Sequence, residues 1–150
     1  MPTAAPIRHE QHTAAAPEVV DALLRDIAAW SLWSPHVASV RPDRGTVQGG
    51  DVVATRAFFS PVVTPMRVDW ARPGEGMGWS STALGHHLAY ENRVAASAGG
   101  GSTITFTATV SGPAAGLVAA LARPLSLLGQ RRRMARLAAL AELVERSPAA

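Results

Sequence analysis

The sequence predicts an α+β domain in which a curved antiparallel β-sheet of about seven strands wraps around one long C-terminal helix. Three observations predict it. Residues 113–146 carry Leu117, Leu121, Leu125, Leu128, Met134, Leu137, Leu140, Ala141 and Val144, largely at three- and four-residue spacings that lay an apolar stripe along one side of a helix. Upstream lies a series of short runs with strand-like alternation, clearest at residues 103–111, where Ile104, Phe106, Ala108 and Val110 interleave with Thr103, Thr105, Thr107 and Thr109. Near the N-terminus two short helical segments follow the first strand-like run. A long apolar-striped helix that follows a meander of strands has one natural place to pack, across the face of the sheet.

Taken in order, residues 1–5 and 148–150 read as loose tails around one domain at 6–147, and residues 7–13 as a first strand. Pro17-Glu18 opens a short helix with an acidic first turn, over residues 19–24. Asp26 begins a second at 27–33, ended by Ser34-Pro35. Strands are expected at 37–41, 52–59, 62–72, 77–84, 86–96 and 103–111, with turns at Asp43-Arg44-Gly45, Pro73-Gly74-Glu75-Gly76 and the Gly-rich 97–102. Pro65 would mark a bulge or an edge. Gly112-Pro113 starts the final helix and Ser147-Pro148 ends it; Pro124 predicts a kink, or two helical pieces in line. Sheet and helix differ in curvature, so a gap between them is expected, and such gaps become ligand cavities.

With 150 residues the chain can bury its own core, and 47% hydrophobic against 17% charged residues is a globular balance. Cysteine is absent, which excludes disulfides and thiol chemistry. All 14 basic residues are arginine, which excludes a side-chain Schiff base; with abundant Ala and Gly it suggests a GC-rich bacterial genome. No basic segment precedes an apolar run at the N-terminus, and residues 114–128, interrupted by Arg123 and Pro124, are too short for a membrane span, so a cytoplasmic protein is expected.

Four stretches carry a family resemblance: Ala16-Pro17-Glu18-Val19-Val20; Asp26 and Trp30 with Trp33-Ser34-Pro35; Met77 and Trp79 with Gly85; and Gly99-Gly100-Gly101-Ser102-Thr103. With these residues in a β-α-α-β6-α order, the chain resembles the START-like (SRPBCC, Bet v 1-like) superfamily, in particular its bacterial polyketide cyclase/dehydrase branch, over about residues 7–146. The resemblance implies a helix-grip fold around a hydrophobic cavity. It leaves function open, because that fold serves aromatases and cyclases, lipid carriers, hormone receptors, chaperone activators and antitoxins. No cyclase motif can be laid onto this sequence residue by residue, so candidate residues come from strand parity.

His86, Leu88, Tyr90, Asn92 and Val94 share one strand face, and the apolar members choose the inner side. His86 and Tyr90 are therefore the candidate catalytic pair, able to shuttle protons, with Asn92 and Ser81 orienting oxygens. The plain alternative is a solvent-near His86 and a packed Tyr90. Thr64, Met66 and Trp70 on one strand, Trp79 on the next, Phe106, Trp33, and Leu121 and Leu125 of the long helix complete the expected ligand wall, the tryptophans stacking on a flat ligand or anchoring the core. Adjacent His86 and His87 point to opposite faces, and neither a metal-ligand pattern, a Gly-x-Ser-x-Gly elbow nor a phosphate loop occurs, so no metal and no cofactor is expected. The Arg131, Arg132, Arg133 and Arg136 cluster reads as a solvated face or, more sharply, as a dock for an acidic partner such as an acyl carrier protein; Arg133, nearest the apolar edge, could reach the cavity mouth. Without interleaved aromatics, nucleic acid is not expected. The leading reading is binding of a hydrophobic or aromatic small molecule, with polyketide cyclase/aromatase-like aldol cyclisation or dehydration. A non-catalytic carrier or sensor of lipid or other hydrophobic ligands, and an antitoxin-type interaction module, stay open.

Overall fold

A computed structural model describes residues 1–41, 45–56 and 61–147. Seven strands, β1 (Ile7–Thr13), β2 (Val37–Arg41), β3 (Val52–Arg56), β4 (Val63–Arg72), β5 (Gly76–Ala83), β6 (His86–Ala96) and β7 (Ser102–Ser111), form one antiparallel sheet. Its order is β1-β7-β6-β5-β4-β3-β2: a meander from β2 to β7 with the N-terminal strand beside the last. Two short helices, α1 (Pro17–Arg25) and α2 (Trp30–Trp33), connect β1 to β2, and α3 (Ala115–Arg146) follows β7. This is the helix-grip arrangement. Of the expected strand at 52–59, residues 52–56 form β3 and residues 57–59 lie outside the described part, as do Ser60, Pro42, Asp43, Arg44 and residues 148–150. Residues 2–4, expected to form a loose tail, hold the far end of β7: the Ala4 amide donates to the Val110 carbonyl at 2.9 Å and the Gly112 amide to the Pro2 carbonyl at 2.9 Å.

β7 alternates as its sequence dictates, with Ile104, Phe106, Ala108 and Val110 buried and the threonines half-buried. The inner faces of β5 and β7 meet α1, α2 and the last turns of α3 in one core built on Val20, Leu24, Trp30, Trp79, Ile104 and Met134. Trp30 is its keystone. The ring packs edge-on against Trp79 at 5.6 Å and 87°, and its indole N–H donates to the Leu24 carbonyl at 2.8 Å, so a large apolar body is buried without an orphaned donor.

α3 corrects the expected stripe. In its second half the predicted Met134, Leu137 and Ala141 are buried, joined by Ala138, while Leu140 is half-buried and Val144 is exposed. In the first half Ala115, Ala119 and Gly129 face inward, whereas Leu117 and Leu121 are 63% and 72% exposed and Leu128 is exposed as well. The leucines sit on the opposite side of the helix from these small residues, so the amphipathic face changes identity halfway along. α3 runs unbroken through Pro124. The Ala120 carbonyl that Pro124 leaves without its helical partner belongs to an exposed residue that water can solvate. At the other end, the Glu142 carboxylate accepts the Thr13 hydroxyl at 2.9 Å and the Ala14 amide at 3.0 Å, and Glu145 accepts the Ala16 amide at 3.0 Å. α1 has no side-chain cap of its own, so α3 supplies acceptors where the chain enters α1.

Gly76 begins β5 at φ +113°, and a Cβ there would strike the Asn92 carbonyl oxygen across the ladder. Gly99, in the β6–β7 turn, has open space around its Cβ position and no positive φ. Gly76→Ala is expected to cost at least about 2 kcal/mol in urea unfolding, and Gly99→Ala to stay within about 0.5 kcal/mol.

Candidate functional site

Between the sheet and the first half of α3 lies a cavity of about 320 Å³. Its sheet wall takes one inward residue from each of four successive strands: Thr55 of β3, Met66 of β4, Trp79 of β5 and Tyr90 of β6. Its helix wall is Ala122, Leu125, Ser126 and Gly129, with Gln130 and Arg133 at one end; His36 and Arg56 complete the lining. The cavity follows from the change of face in α3, because small residues on the inner side cannot fill the space that leucines would have filled.

The polar end is built around a buried guanidinium. Arg133 is 5% exposed, and its charge lies 5.4 Å from the Trp33 ring centre, over the indole. Its Nε–H donates to the Ser34 hydroxyl at 3.1 Å and its Nη1 to the Gln130 side-chain oxygen at 2.8 Å. Nη2 has no partner, and among the described residues no carboxylate pairs with the guanidinium. Burial presses its pKa down to about 9, with the neighbouring Tyr90 pulling the other way, so it remains a cation at neutral pH.

The same serine meets His36. Ser34 Oγ and His36 Nδ1 are 3.2 Å apart, and the Ser34 oxygen already accepts from Arg133. With the hydroxyl proton assigned to Nδ1, the His36 proton resides on Nε2; the other tautomer would place Nδ1–H on the remaining lone pair of the same oxygen. Burial, with the Arg133 charge beside it, pushes His36 down to about 3, so the imidazole stays neutral and donates rather than holding a positive charge. Tyr90 is half-buried and stacks on Phe106 at 6.1 Å. Burial raises its pKa, partly offset by Arg133, which keeps it a phenol and a hydrogen-bond donor.

Of the residues expected to meet a ligand, Tyr90, Met66, Trp79 and Leu125 line this cavity together. The others lie elsewhere. His86, at the start of β6, has Nδ1 3.0 Å from the Leu84 carbonyl and Nε2 2.7 Å from that of Pro113, so whichever nitrogen carries the proton donates to a main-chain carbonyl, and the ring is not part of the cavity lining. Trp70 is turned to the outer sheet face. A bulge between Val68 and Trp70 shifts the register, and the ring lies over Gly78 with the Arg72 and Arg93 guanidinia 5.6 and 4.7 Å from its centre. Parity counting cannot see such a bulge. Trp33 is buried beneath Arg133, and its indole N–H donates to the Leu23 carbonyl at 3.3 Å. Thr64 opposes Thr55 and takes its hydroxyl on the main-chain carbonyl, Ser81 opposes Leu88, and Leu121 faces outward. Phe106 supports Tyr90 from behind, and Asn92, opposite Phe106, is fully buried. Sequence reasoning missed His36, Ser34, Gln130 and the buried depth of Arg133. One signal was available: Gly129, Arg133 and Leu137 fall at four-residue spacing, on the inward arc of α3. No group of three metal-ligating side chains occurs among the described residues, and no helix there is long and apolar enough to cross a membrane.

The family model described as polyketide cyclase / dehydrase and lipid transport matches residues 5–142. The chain belongs to this family. No curated protein matches it in sequence. Among solved structures, the Zhui aromatase/cyclase from Streptomyces sp. R1128 is similar at 18% identity and a TM-score of 0.70, over 97% of this chain and 98% of that one. The di-domain ARO/CYC BexL from the BE-7585A biosynthetic pathway matches at 20% identity and a TM-score of 0.70, over 93% of this chain and 50% of BexL. Ara h 8.0201 matches at 13% identity and a TM-score of 0.66, over 94% and 99%. At these identities the likeness establishes the fold.

The depressed His36 pKa sets a pH dependence for this family member. From pH 6.5 down toward 3 the unfolded chain takes up a proton on this ring that the folded chain refuses, so stability falls as pH drops through that window. His9, lowered by burial and then by Arg131, works in the same direction; Glu142, lowered mainly by its hydrogen bonds, adds to the loss only at lower pH. Wild type is expected to lose about 2 kcal/mol between pH 6.5 and 4.5 on account of His36, and His36→Gln to show a correspondingly flatter urea-midpoint profile over that range.

Proposed function

We propose that the chain binds a small hydrophobic or aromatic molecule in the cavity between sheet and α3 and acts on it as a polyketide cyclase/aromatase-like enzyme. The observation that carries this reading is the cavity itself, with apolar walls at Met66, Trp79 and Leu125 and donors gathered at one end. Family membership supports the ligand class. Its volume is near the lower bound of the usual range for ligand pockets, roughly 300–1,000 Å³, which suits a compact, flat molecule.

In an aldol cyclisation or dehydration, negative charge develops on a carbonyl oxygen as an enolate forms. Arg133 offers a buried positive charge to that oxygen, and the Tyr90 hydroxyl and His36 Nε2–H offer neutral donors that need no reorganisation. A phenol whose pKa burial has raised suits a proton donor better than a base. Tyr90 rather than His86 therefore carries the proton chemistry in this proposal. An acidic carrier protein delivering the substrate would dock on Arg131, Arg132 and Arg136, which stay exposed while Arg133 turns inward. A carrier of lipids or other hydrophobic ligands is the competing reading, and the exposed leucines of α3 beside the cavity favour it.

Native mass spectrometry of protein purified from its own host, followed by denaturation, separates these readings. The expected result is release of an aromatic or polyketide-like compound; a released fatty acid or lipid would transfer the assignment to a carrier. Gly129→Leu, which fills the cavity from the helix side, is expected to abolish the co-purified compound while leaving the circular dichroism spectrum unchanged.

A further inference from the structure

Accepting the cavity as the ligand site, we infer that it selects ligands bearing an anionic oxygen, a free carboxylate or an acidic enol or phenol on an apolar or aromatic body, over their neutral counterparts. The inference starts from charge. Among the described residues two cationic side chains, Arg56 and Arg133, line the cavity, and no carboxylate does. The remaining titratable neighbours add no negative charge: Tyr90 is held as a phenol and His36 as neutral imidazole.

Arg133 is the stronger of the two cations for recognition. A buried guanidinium without a carboxylate partner loses hydration that its remaining contacts do not restore. The Trp33 face, the Ser34 hydroxyl and the Gln130 oxygen compensate three parts of it and leave Nη2 unpartnered. The fold thus holds a donor-bearing charge in place before any ligand arrives. A carboxylate or enolate oxygen in the cavity supplies the missing counter-charge; an ester or ketone supplies an acceptor without the charge. Tyr90 O–H and His36 Nε2–H share the lining with Arg133 and can serve further lone pairs of that oxygen. Arg56, whose amide donates to the His36 carbonyl at 2.7 Å, is exposed and solvated and contributes mainly to steering. A free acid, unlike a thioester on a carrier, carries this charge in its ground state, so the cavity is built to retain an untethered acid such as a released product.

The test uses a matched pair of flat probes, 2-naphthoate and methyl 2-naphthoate, titrated calorimetrically into the full chain at pH 7. The expected result is that the acid binds at least about tenfold more tightly than the ester, and that Arg133→Met brings the ratio to about one with ester affinity little changed. Arg56→Gln is expected to leave most of the preference in place. Equal affinities of acid and ester for the wild-type chain would overturn the inference while leaving the cavity as a ligand site. So would an acid preference that survives Arg133→Met. Binding of neither probe would overturn both readings. The wild-type comparison decides the matter even if Arg133→Met fails to fold.

Discussion

The structure depends on where α3 stops gripping the sheet. Beyond residue 133 the helix presents Met134, Leu137, Ala138 and Ala141 to the core, and the two layers close on each other. Before that point it presents mainly Ala and Gly, with Leu127 packed near Phe106, while Leu117, Leu121, Leu125 and Leu128 turn to water. Apolar burial per residue is therefore high in the second half and low in the first. One half of the helix fixes the fold, and the other half roofs a space. Arg133 sits at the junction, where the roof meets the packed core, and its burial is tolerable because Trp33, Ser34 and Gln130 stand on three sides of it. A lysine there would lose the planar contact with Trp33 and the divergent donors that engage Ser34 and Gln130 separately.

Much of the architecture was legible from the sequence, for physical reasons that can be named. β7 was clear because eight consecutive residues alternate without interruption and one sheet face is buried, so register is forced. The order of elements and the long terminal helix followed from periodicity and from punctuation by Pro and Gly. The cavity wall was partly legible: Met66, Trp79 and Tyr90 point inward by parity, and Leu125 sits at the rim. Trp70 was misplaced because a bulge adds one residue to β4 and reverses the face beyond it, which residue types alone do not announce. The expected single stripe on α3 failed for a related reason. Leucine spacing is periodic in both halves, but only contact with the sheet determines which side is inside, and in the first half small residues take that side.

The polar end of the cavity was the least legible part. His36 follows a Ser-Pro pair after a one-turn helix, a position to which no periodicity applies, and its role comes from Ser34 two residues earlier and Arg133 nearly a hundred residues later. In the sequence Arg133 belongs to a basic run; in the fold it leaves that run, because the inward arc of α3 passes through Gly129, residue 133 and Leu137. Its neighbours Arg131 and Arg132 stay in solvent. A chain of three hydrogen-bonding groups joins α3 to the exit of α2, and we assign its protons in one order: the guanidinium donates to the serine oxygen, the serine proton goes to the imidazole, and the imidazole keeps its own proton on Nε2.

That ordering is the central claim, since it decides what the cavity offers a ligand. It is tested most directly by a long-range ¹H–¹⁵N spectrum of the histidine side chains at pH 5, with His36 assigned by its absence in His36→Gln. The account predicts a neutral His36 ring at that pH, with Nε2 protonated and Nδ1 accepting. A ring that is doubly protonated at pH 5, or one carrying its proton on Nδ1, would contradict it.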